Sequence, residues 1–365
     1  MKIVCLIDSL GSGGAQRQLV GLAALLKEKQ YDVKIVWYHD INFYQPLLES
    51  CNINYSNVAV KGRWAKLIHV SSEIKKYNPD IVVAYIDGPT IIACLLRMLG
   101  AKFRLVVSER NTTQVRDWKE RFKFFVYRWS DAIVSNSYSQ EQFIKKYYPN
   151  LSAKVHVITN FTDTAFFSPV IGIPNKRTFP MRMLVVGRIV EQKNVYRFMH
   201  ALKLVKDAGY SIKVDWYGEP FYKEYYSECL FERKALGLED VIQFCQESLD
   251  IRDVYRSADV FCLPSLFEGY PNVICEAMSC GIPVLCSDVC DNSKIIDEGK
   301  NGFLFNPLSI EDIADKIMKF MQLSDDLRVK MGYHSRDIAV VKFSKDIFVA
   351  KYQLLFSNIF NLDRD

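Results

Sequence analysis

Twice along this chain, short apolar runs rich in β-branched residues alternate with longer amphipathic segments, and that repeated alternation limits the possible folds more than any single motif. KIVCLI, VKIVWY, IVVAYI, FRLVV, AIVSN and KVHVI read as strands, with helical periodicity near residues 14–29, 63–77, 89–99, 118–129 and 138–147. Strands of this kind, spaced by helices, belong in a parallel sheet covered on both faces. Polar, proline-bearing NFTDTAFFSPVIGIPNKRTFP interrupts the pattern, which restarts with MRMLVVG, IKVDWYG, VIQFC, VFCLP and IPVLC. The expectation is an α/β protein of two Rossmann-like domains, 1–165 and 175–340, facing each other across a cleft at the carboxyl ends of their strands. The last segment, 341–365, should contribute a helix that packs back on the first domain.

Bulk properties narrow the class. At 365 residues the chain is too long for one ordinary core, and 49% hydrophobic with 24% charged residues is a globular balance that excludes disorder. MKIVCLIDSL breaks its apolar run at Asp8, which suits a first strand better than a signal peptide, and no apolar run reaches about 18 residues. A cytoplasmic protein is expected. Ten cysteines without a CxxC pair fit reduced thiols. Cys275, Cys280, Cys286 and Cys290 match no usual zinc spacing, and His39, His69, His156, His200 and His334 do not pair at ligand spacing, so no metal is expected. The net charge of +5 is uneven: residues 1–170 hold 22 Lys+Arg against 14 Asp+Glu, a balance of +8, leaving −3 for the rest. A basic first half suggests an anionic partner, a phospholipid surface or a lipid diphosphate rather than nucleic acid, unless it is only a solvated surface.

Three stretches carry chemistry. GSGGAQR, Gly11 to Arg17, follows the first strand and opens the first helix, so Gly13 and Gly14 can bring backbone N–H groups close to an anion. It is not GxGxxG, and no acidic residue ends the second strand, which weakens a nicotinamide reading. VVGRIVEQKN supplies Arg188 and Lys193 after the first strand of the second domain, where a guanidinium fork and an ammonium can neutralise a diphosphate. FEGYPNVICEA places Glu268 before a Gly-Pro turn and Glu276 on the helix that Pro271 starts, with amides of about 270–273 available to oxygens. Two separated carboxylates can each take a pair of vicinal hydroxyls, one on a ribose and one on a sugar.

On these residues the chain resembles the GT-B glycosyltransferases of family 4, the retaining group. EGYPN…EA…G.PV, GR…QKN, the Gly-rich first loop and G.NGFLF.P at 299–307 carry the resemblance along essentially the whole chain. It implies that Arg188 and Lys193 hold a nucleotide diphosphate, Glu276 the ribose, and Glu268 with the backbone of Gly269, Tyr270, Pro271 and Asn272 the transferred sugar. Gly13 and Gly14 would approach phosphates or sugar from the first domain, with no metal or other cofactor required. The loop at Cys245 to Ser248 would touch the base. Many relatives carry a histidine where this chain has VVSERNTT, so that role does not transfer; Arg110 is expected to contact a phosphate or the sugar, with Glu109 orienting it or the acceptor.

The next segment, QVRDWKERFKFFVYRW, carries a stripe of Trp118, Phe122, Phe125 and Trp129, expected to pack in the core behind a solvated basic face. The sharper alternative joins Arg116, Lys119, Lys123 and Arg128 with Lys61, Arg63, Trp64 and Lys66 to seat the first domain on an anionic bilayer. The resemblance thus implies sugar transfer from a nucleotide-sugar, a UDP-sugar being expected, to a glycan acceptor such as a lipid-linked oligosaccharide of a bacterial surface polysaccharide (lipopolysaccharide or capsule). The competing readings are a UDP-sugar 2-epimerase on the same fold, a non-catalytic carbohydrate-binding protein and, further off, a dehydrogenase.

Overall fold

A computed structural model describes residues 1–110, 116–170, 179–246, 248 and 250–361. Asn111 and the rest of the 111–113 loop, and Glu247 of the expected base-contacting loop, lie outside the described residues. The chain divides into two compact units: Met1–Phe161 with Lys345–Asp365, and Thr162–Ser344.

Unit 1 is built on a parallel sheet of β1 (Lys2–Leu6), β2 (Asp32–Trp37), β3 (Asn54–Asn57), β4 (Ile81–Tyr85), β5 (Arg104–Glu109), β6 (Ala132–Ser135) and β7 (Val155–Val157), in the order β3-β2-β1-β4-β5-β6-β7. Alternation along the strands sorts side chains between two cores. Ile3, Cys5, Ile35, Trp37, Val83 and Tyr85 join one apolar cluster, whereas Val4, Leu6, Val36, Val82 and Ala84 join the other. The first cluster is closed by helix Gly14–Glu28 and by the last helix, Lys345–Asn361. That last helix contributes Phe348, Val349, Tyr352, Leu355, Phe356 and Ile359, one stripe at helical spacing.

Two strand-poor segments escaped the pattern. NYSN, the edge strand β3, has no β-branched residue and is mostly solvent-facing, and helix Gln45–Ser50 is too short to show a period. A larger departure concerns Trp118–Val126. Trp118 is 72% exposed, Phe122 45% and Phe125 48%, so three of the four aromatics expected in the core face outward, while Trp129 is half-buried and packs against it. The buried face is instead Glu120, Lys123, Phe124 and Val126. Lys123, expected on the solvated basic face, is drawn inward by a buried carboxylate.

Unit 2 repeats the architecture with β8 (Met181–Val186), β9 (Ile212–Tyr217), β10 (Ile242–Cys245), β11 (Val260–Leu263), β12 (Val284–Ser287) and β13 (Gly302–Phe305), all parallel, in the order β10-β9-β8-β11-β12-β13. The order reverses between β8 and β11, which opens a crevice beyond their carboxyl ends. Here the main chain is packed closely: a β-carbon on Gly218 would sit 2.1 Å from the carbonyl oxygen of Gly187, so the loops after β8 and β9 meet only because a glycine follows β9.

Candidate functional site

The reversal point of unit 2 brings together two motifs about 75 residues apart in sequence. Lys193, at the end of the short 3₁₀ turn Glu191–Lys193 after β8, lies with its aliphatic stem against Gly187, where a β-carbon would meet Lys193 Cε at 3.0 Å. Its ammonium makes an ion pair with Glu268, from the loop after β11, and both side chains are nearly buried. The backbone and side chain of Gln192 stitch the same loops: its carbonyl accepts the Leu266 amide at 2.8 Å, and its side-chain amide donates to the Phe267 carbonyl at 2.7 Å. Arg188 stands beside them, exposed, with its guanidinium 5.0 Å over the Phe221 ring. One stacked guanidinium and one paired ammonium therefore occupy the rim of the crevice.

Pro271 is the N-cap of helix Asn272–Ser279, with φ −79° and ψ 99°, rather than a first-turn residue. Pro271 has no N–H, and its carbonyl already accepts the Ile274 and Cys275 amides at 3.1 and 3.4 Å, so donation to a ligand falls to its neighbours. Gly269, in the loop before it, and Asn272, the first residue of the helix, are half-buried, while the Tyr270 ring turns into the core, 6.1 Å from Phe343. Glu276 follows one turn on, 4% exposed, and accepts a 2.9 Å hydrogen bond from the Tyr255 hydroxyl. Glu268 and Glu276 thus occupy separate settings, one beside a cation and one beside a phenol. Sequence reading missed Gln192, Phe221 and Tyr255, because a polar or aromatic residue in a loop or short helix has no period to mark it.

In unit 1 the carboxyl ends of β1, β4, β5 and β6 gather the remaining candidates. Gly13 is the N-cap of the first helix, and Gly13 and Gly14 are exposed. Ile86, just past β4, holds φ 64° and ψ 164°, a region that essentially only glycine enters and one where strain marks functional edges. Glu109, at the end of β5, is 2% exposed. Its carboxylate accepts from Lys123 at 2.8 Å and from the Tyr127 hydroxyl, with the Gln140 amide at 3.5 Å. Burial alone would lower the Lys123 ammonium, but Glu109 and then Asp87 reverse that and hold it well above its usual range. Burial, with Glu109 adding to it, pushes the Tyr127 phenol far up, so it remains a proton donor. The Glu109 carboxylate is thus held inside unit 1 by Lys123 and Tyr127, and on the expected reading it would orient its neighbours from that paired position. Arg110, its neighbour, is 8% exposed and stacked on Tyr85 at 4.4 Å.

Unit 2 thus sets two cations and a helix N-terminus at the reversal point of a doubly wound sheet, and a chain with two such sheets has the architecture of the GT-B fold. Family models agree with this division: residues 12–166 match "Glycosyltransferase Family 4" and residues 171–338 match "Glycosyl transferases group 1". The chain belongs to these group 1, family 4 glycosyltransferases and is a glycosyltransferase. Among its relatives is the Campylobacter jejuni GalNAc-alpha-(1->4)-GalNAc-alpha-(1->3)-diNAcBac-PP-undecaprenol alpha-1,4-N-acetyl-D-galactosaminyltransferase, 27% identical over 83% of this chain and 84% of that protein. Another is the Escherichia coli UDP-Gal:alpha-D-GlcNAc-diphosphoundecaprenol alpha-1,3-galactosyltransferase, 25% identical over 86% and 85%. Anabaena Alr3699/HepE, solved in complex with UDP, shares the fold at a TM-score of 0.85 and 19% identity, covering 98% of this chain and 100% of that one. Among the described residues no group of three His, Cys, Asp or Glu is placed to hold a metal ion, and no helix is long and apolar enough to cross a membrane.

Proposed function

We propose that the chain transfers a hexosyl or N-acetylhexosaminyl group from a UDP-sugar to a lipid-diphosphate-linked glycan in the synthesis of a bacterial surface polysaccharide, with retention at the anomeric carbon. The observation that carries this reading is the Lys193–Glu268 pair at the reversal point of the unit 2 sheet, with Arg188 beside it. The donor loses its bond between C1 and the diphosphate oxygen, and the electron pair leaves with the diphosphate. The acceptor hydroxyl oxygen bonds C1, and its proton passes to the departing phosphate. Arg188 and Lys193 stabilise the charge that develops on the leaving group, and Glu268 with the main chain of Gly269 to Asn272 orients the sugar. Glu276 takes the ribose hydroxyls, held in place by Tyr255. Two cations and a helix N-terminus supply the charge a metal would otherwise bring, so activity should survive EDTA. Gly13 and Gly14 present backbone to a phosphate or sugar oxygen. The relatives named for diphosphoundecaprenol-linked acceptors, and the neighbour solved with UDP, support the choice of substrates.

A cytoplasmic protein seated on the inner face of the plasma membrane fits this acceptor. In unit 1 a concavity of about 1170 Å³ is lined by Trp64, Leu67, Ile91, Trp118 and Phe122, with Arg63, Lys66 and Lys119 among its cations. Exposed tryptophans beside lysine and arginine suit a headgroup layer. Sedimentation with phosphatidylglycerol vesicles at low salt should be lost in Trp64→Ala/Trp118→Ala, and a wild type that stays in the supernatant would remove the membrane from this reading.

UDP binding tests the donor site. A ligand at 100 times its dissociation constant stabilises by about 2.7 kcal/mol, a clear thermal shift. UDP should stabilise the wild type, and Glu276→Gln should weaken its binding by roughly 10- to 100-fold while keeping an acceptor for Tyr255. No shift with UDP, or an undiminished one in the variant, would defeat the donor assignment.

A further inference from the structure

The carboxyl end of β5 holds a cationic side chain whose terminal nitrogens find no hydrogen-bond partner among the described residues. Arg110 follows the strand directly, is 8% exposed, and its two terminal nitrogens have no hydrogen-bond partner among the described residues. Its guanidinium lies 4.4 Å from the centroid of the Tyr85 ring. Tyr85 is fully buried, and its hydroxyl meets that of Tyr352, on the last helix, at 2.8 Å. Asn136 donates its side-chain amide to the Arg110 carbonyl at 3.2 Å, which fixes the backbone but leaves the fork alone. The adjacent carboxylate is no counter-ion, because Glu109 is committed to Lys123 at 2.8 Å and to Tyr127.

Those charges decide what the position is for. Glu109 and Asp87 are both engaged by Lys123 and neither bonds Arg110, whose terminal nitrogens have no hydrogen-bond partner among the described residues, and a buried charge without a partner is strongly disfavoured unless a ligand supplies one. Stacking on Tyr85 uses a flat face of the guanidinium, and the in-plane N–H groups remain suited to two oxygens of a phosphate. Unit 2 already provides Arg188 and Lys193 for the donor diphosphate on the reading above. A further cation, carried by the other unit, calls for a further anion, and that anion belongs to the other substrate.

We propose that Arg110 is the residue that recognises the acceptor's phosphate or diphosphate, and that Tyr85, backed by Tyr352, is the positioning residue that holds its fork. The proposal rests on the transferase reading. It makes the acceptor a phosphate ester whose charge is read in unit 1, separately from the donor.

Calorimetric titration of the full chain, saturated with UDP, tests it, with geranyl diphosphate, inorganic pyrophosphate and geraniol as probes. Both diphosphates should bind the UDP-saturated protein and geraniol should not. Tighter binding of geranyl diphosphate than of pyrophosphate would place the ester's hydrocarbon in contact as well, and equal affinity would place recognition in the diphosphate alone; either supports an anion site. Arg110→Met should weaken geranyl diphosphate at least tenfold and leave the UDP dissociation constant within twofold. Arg110→Lys, which keeps charge without the fork, should fall between. Tyr85→Phe keeps the ring and should bind normally, whereas Tyr85→Leu should behave like Arg110→Met. Because the methionine variant removes an unmatched charge, its thermal midpoint without ligand should hold or rise, and a fall would mark Arg110 as structural and overturn the proposal. Displacement of UDP by geranyl diphosphate, parallel loss of UDP affinity in Arg110→Met, or unchanged diphosphate affinity in that variant would each overturn it too. If wild type binds UDP but neither diphosphate, this proposal fails alone; if it does not bind UDP, the transferase reading fails first.

Discussion

Replacing Lys123 by methionine should cost unit 1 much of its stability, and the size of the loss follows from what the lysine leaves behind. Lys123 and Glu109 are 9% and 2% exposed at the side chain and 2.8 Å apart. Without the ammonium, Glu109 keeps the Tyr127 hydroxyl and a 3.5 Å contact with the Gln140 amide, two neutral donors around a buried negative charge. The second partner of Lys123, Asp87 at 3.3 Å, is 61% exposed and stays hydrated, so its loss adds little. Breaking a buried pair by removing one partner costs about 3–5 kcal/mol, against about 0–1 kcal/mol for an exposed pair. In a unit of this size that is a fall of roughly 6–20 °C in the midpoint. Scanning calorimetry with a urea titration should show it in the transition of unit 1, read separately because two units need not unfold together. Lys123→Met/Glu109→Gln should recover most of the loss, since neither charge then remains. A single-variant loss below about 1 kcal/mol, or a double variant no more stable than the single, would refute the claim that the two residues form a matched buried unit.

Three further outcomes follow from the same contacts. Lys193→Met should lower kcat/KM by about 10²-fold in a sugar-transfer assay, the scale of losing one group that stabilises the leaving charge, and unimpaired turnover would remove Lys193 from the site. Glu73 is held below its ordinary value of 4.5 by the Lys34 ammonium at 2.7 Å and the Ser56 hydroxyl at 2.8 Å. Its contribution is therefore complete above about pH 4.5 and is lost as pH falls through the lower folded value; a Glu73→Gln difference in midpoint that is the same at pH 7 and pH 3 would contradict this. Burial raises the thiols of Cys5, Cys94 and Cys280 to about 12, so alkylation of the native chain at pH 7.5, read by mass spectrometry, should mark only the half-buried Cys51, Cys245 and Cys290.

What could be read from sequence was what has a period or a spacing. β1 shows as KIVCLI because every residue from Ile3 to Leu6 is buried, and the last helix shows because its stripe from Phe348 to Ile359 repeats at helical intervals. The motifs that hold Lys193 and Glu268 were visible singly, but their meeting depends on strand order, which places β11 beside β8. Periodicity also says which residues share a face without saying which face turns inward. On Trp118–Val126 the aromatic stripe was the natural choice for the core, yet it lies outside, because Lys123 on another face is held by Glu109. A hydrophobic count weighs Trp118 and Phe122 above Lys123, but the face that turns inward carries Phe124 and Val126 as well as Lys123, so it buries apolar surface and pairs the Glu109 carboxylate together. The platform under Arg110 lies further still from sequence, because the hydroxyls of Tyr85 and Tyr352 meet across 267 positions. Arg110 itself shows in sequence only as a basic residue after a strand; its significance comes from its terminal nitrogens having no hydrogen-bond partner among the described residues while the neighbouring carboxylate is taken by Lys123. The residues that most restrict chemistry here are thus those whose local signal is weakest, since a charge is informative only once its neighbours' partners are known.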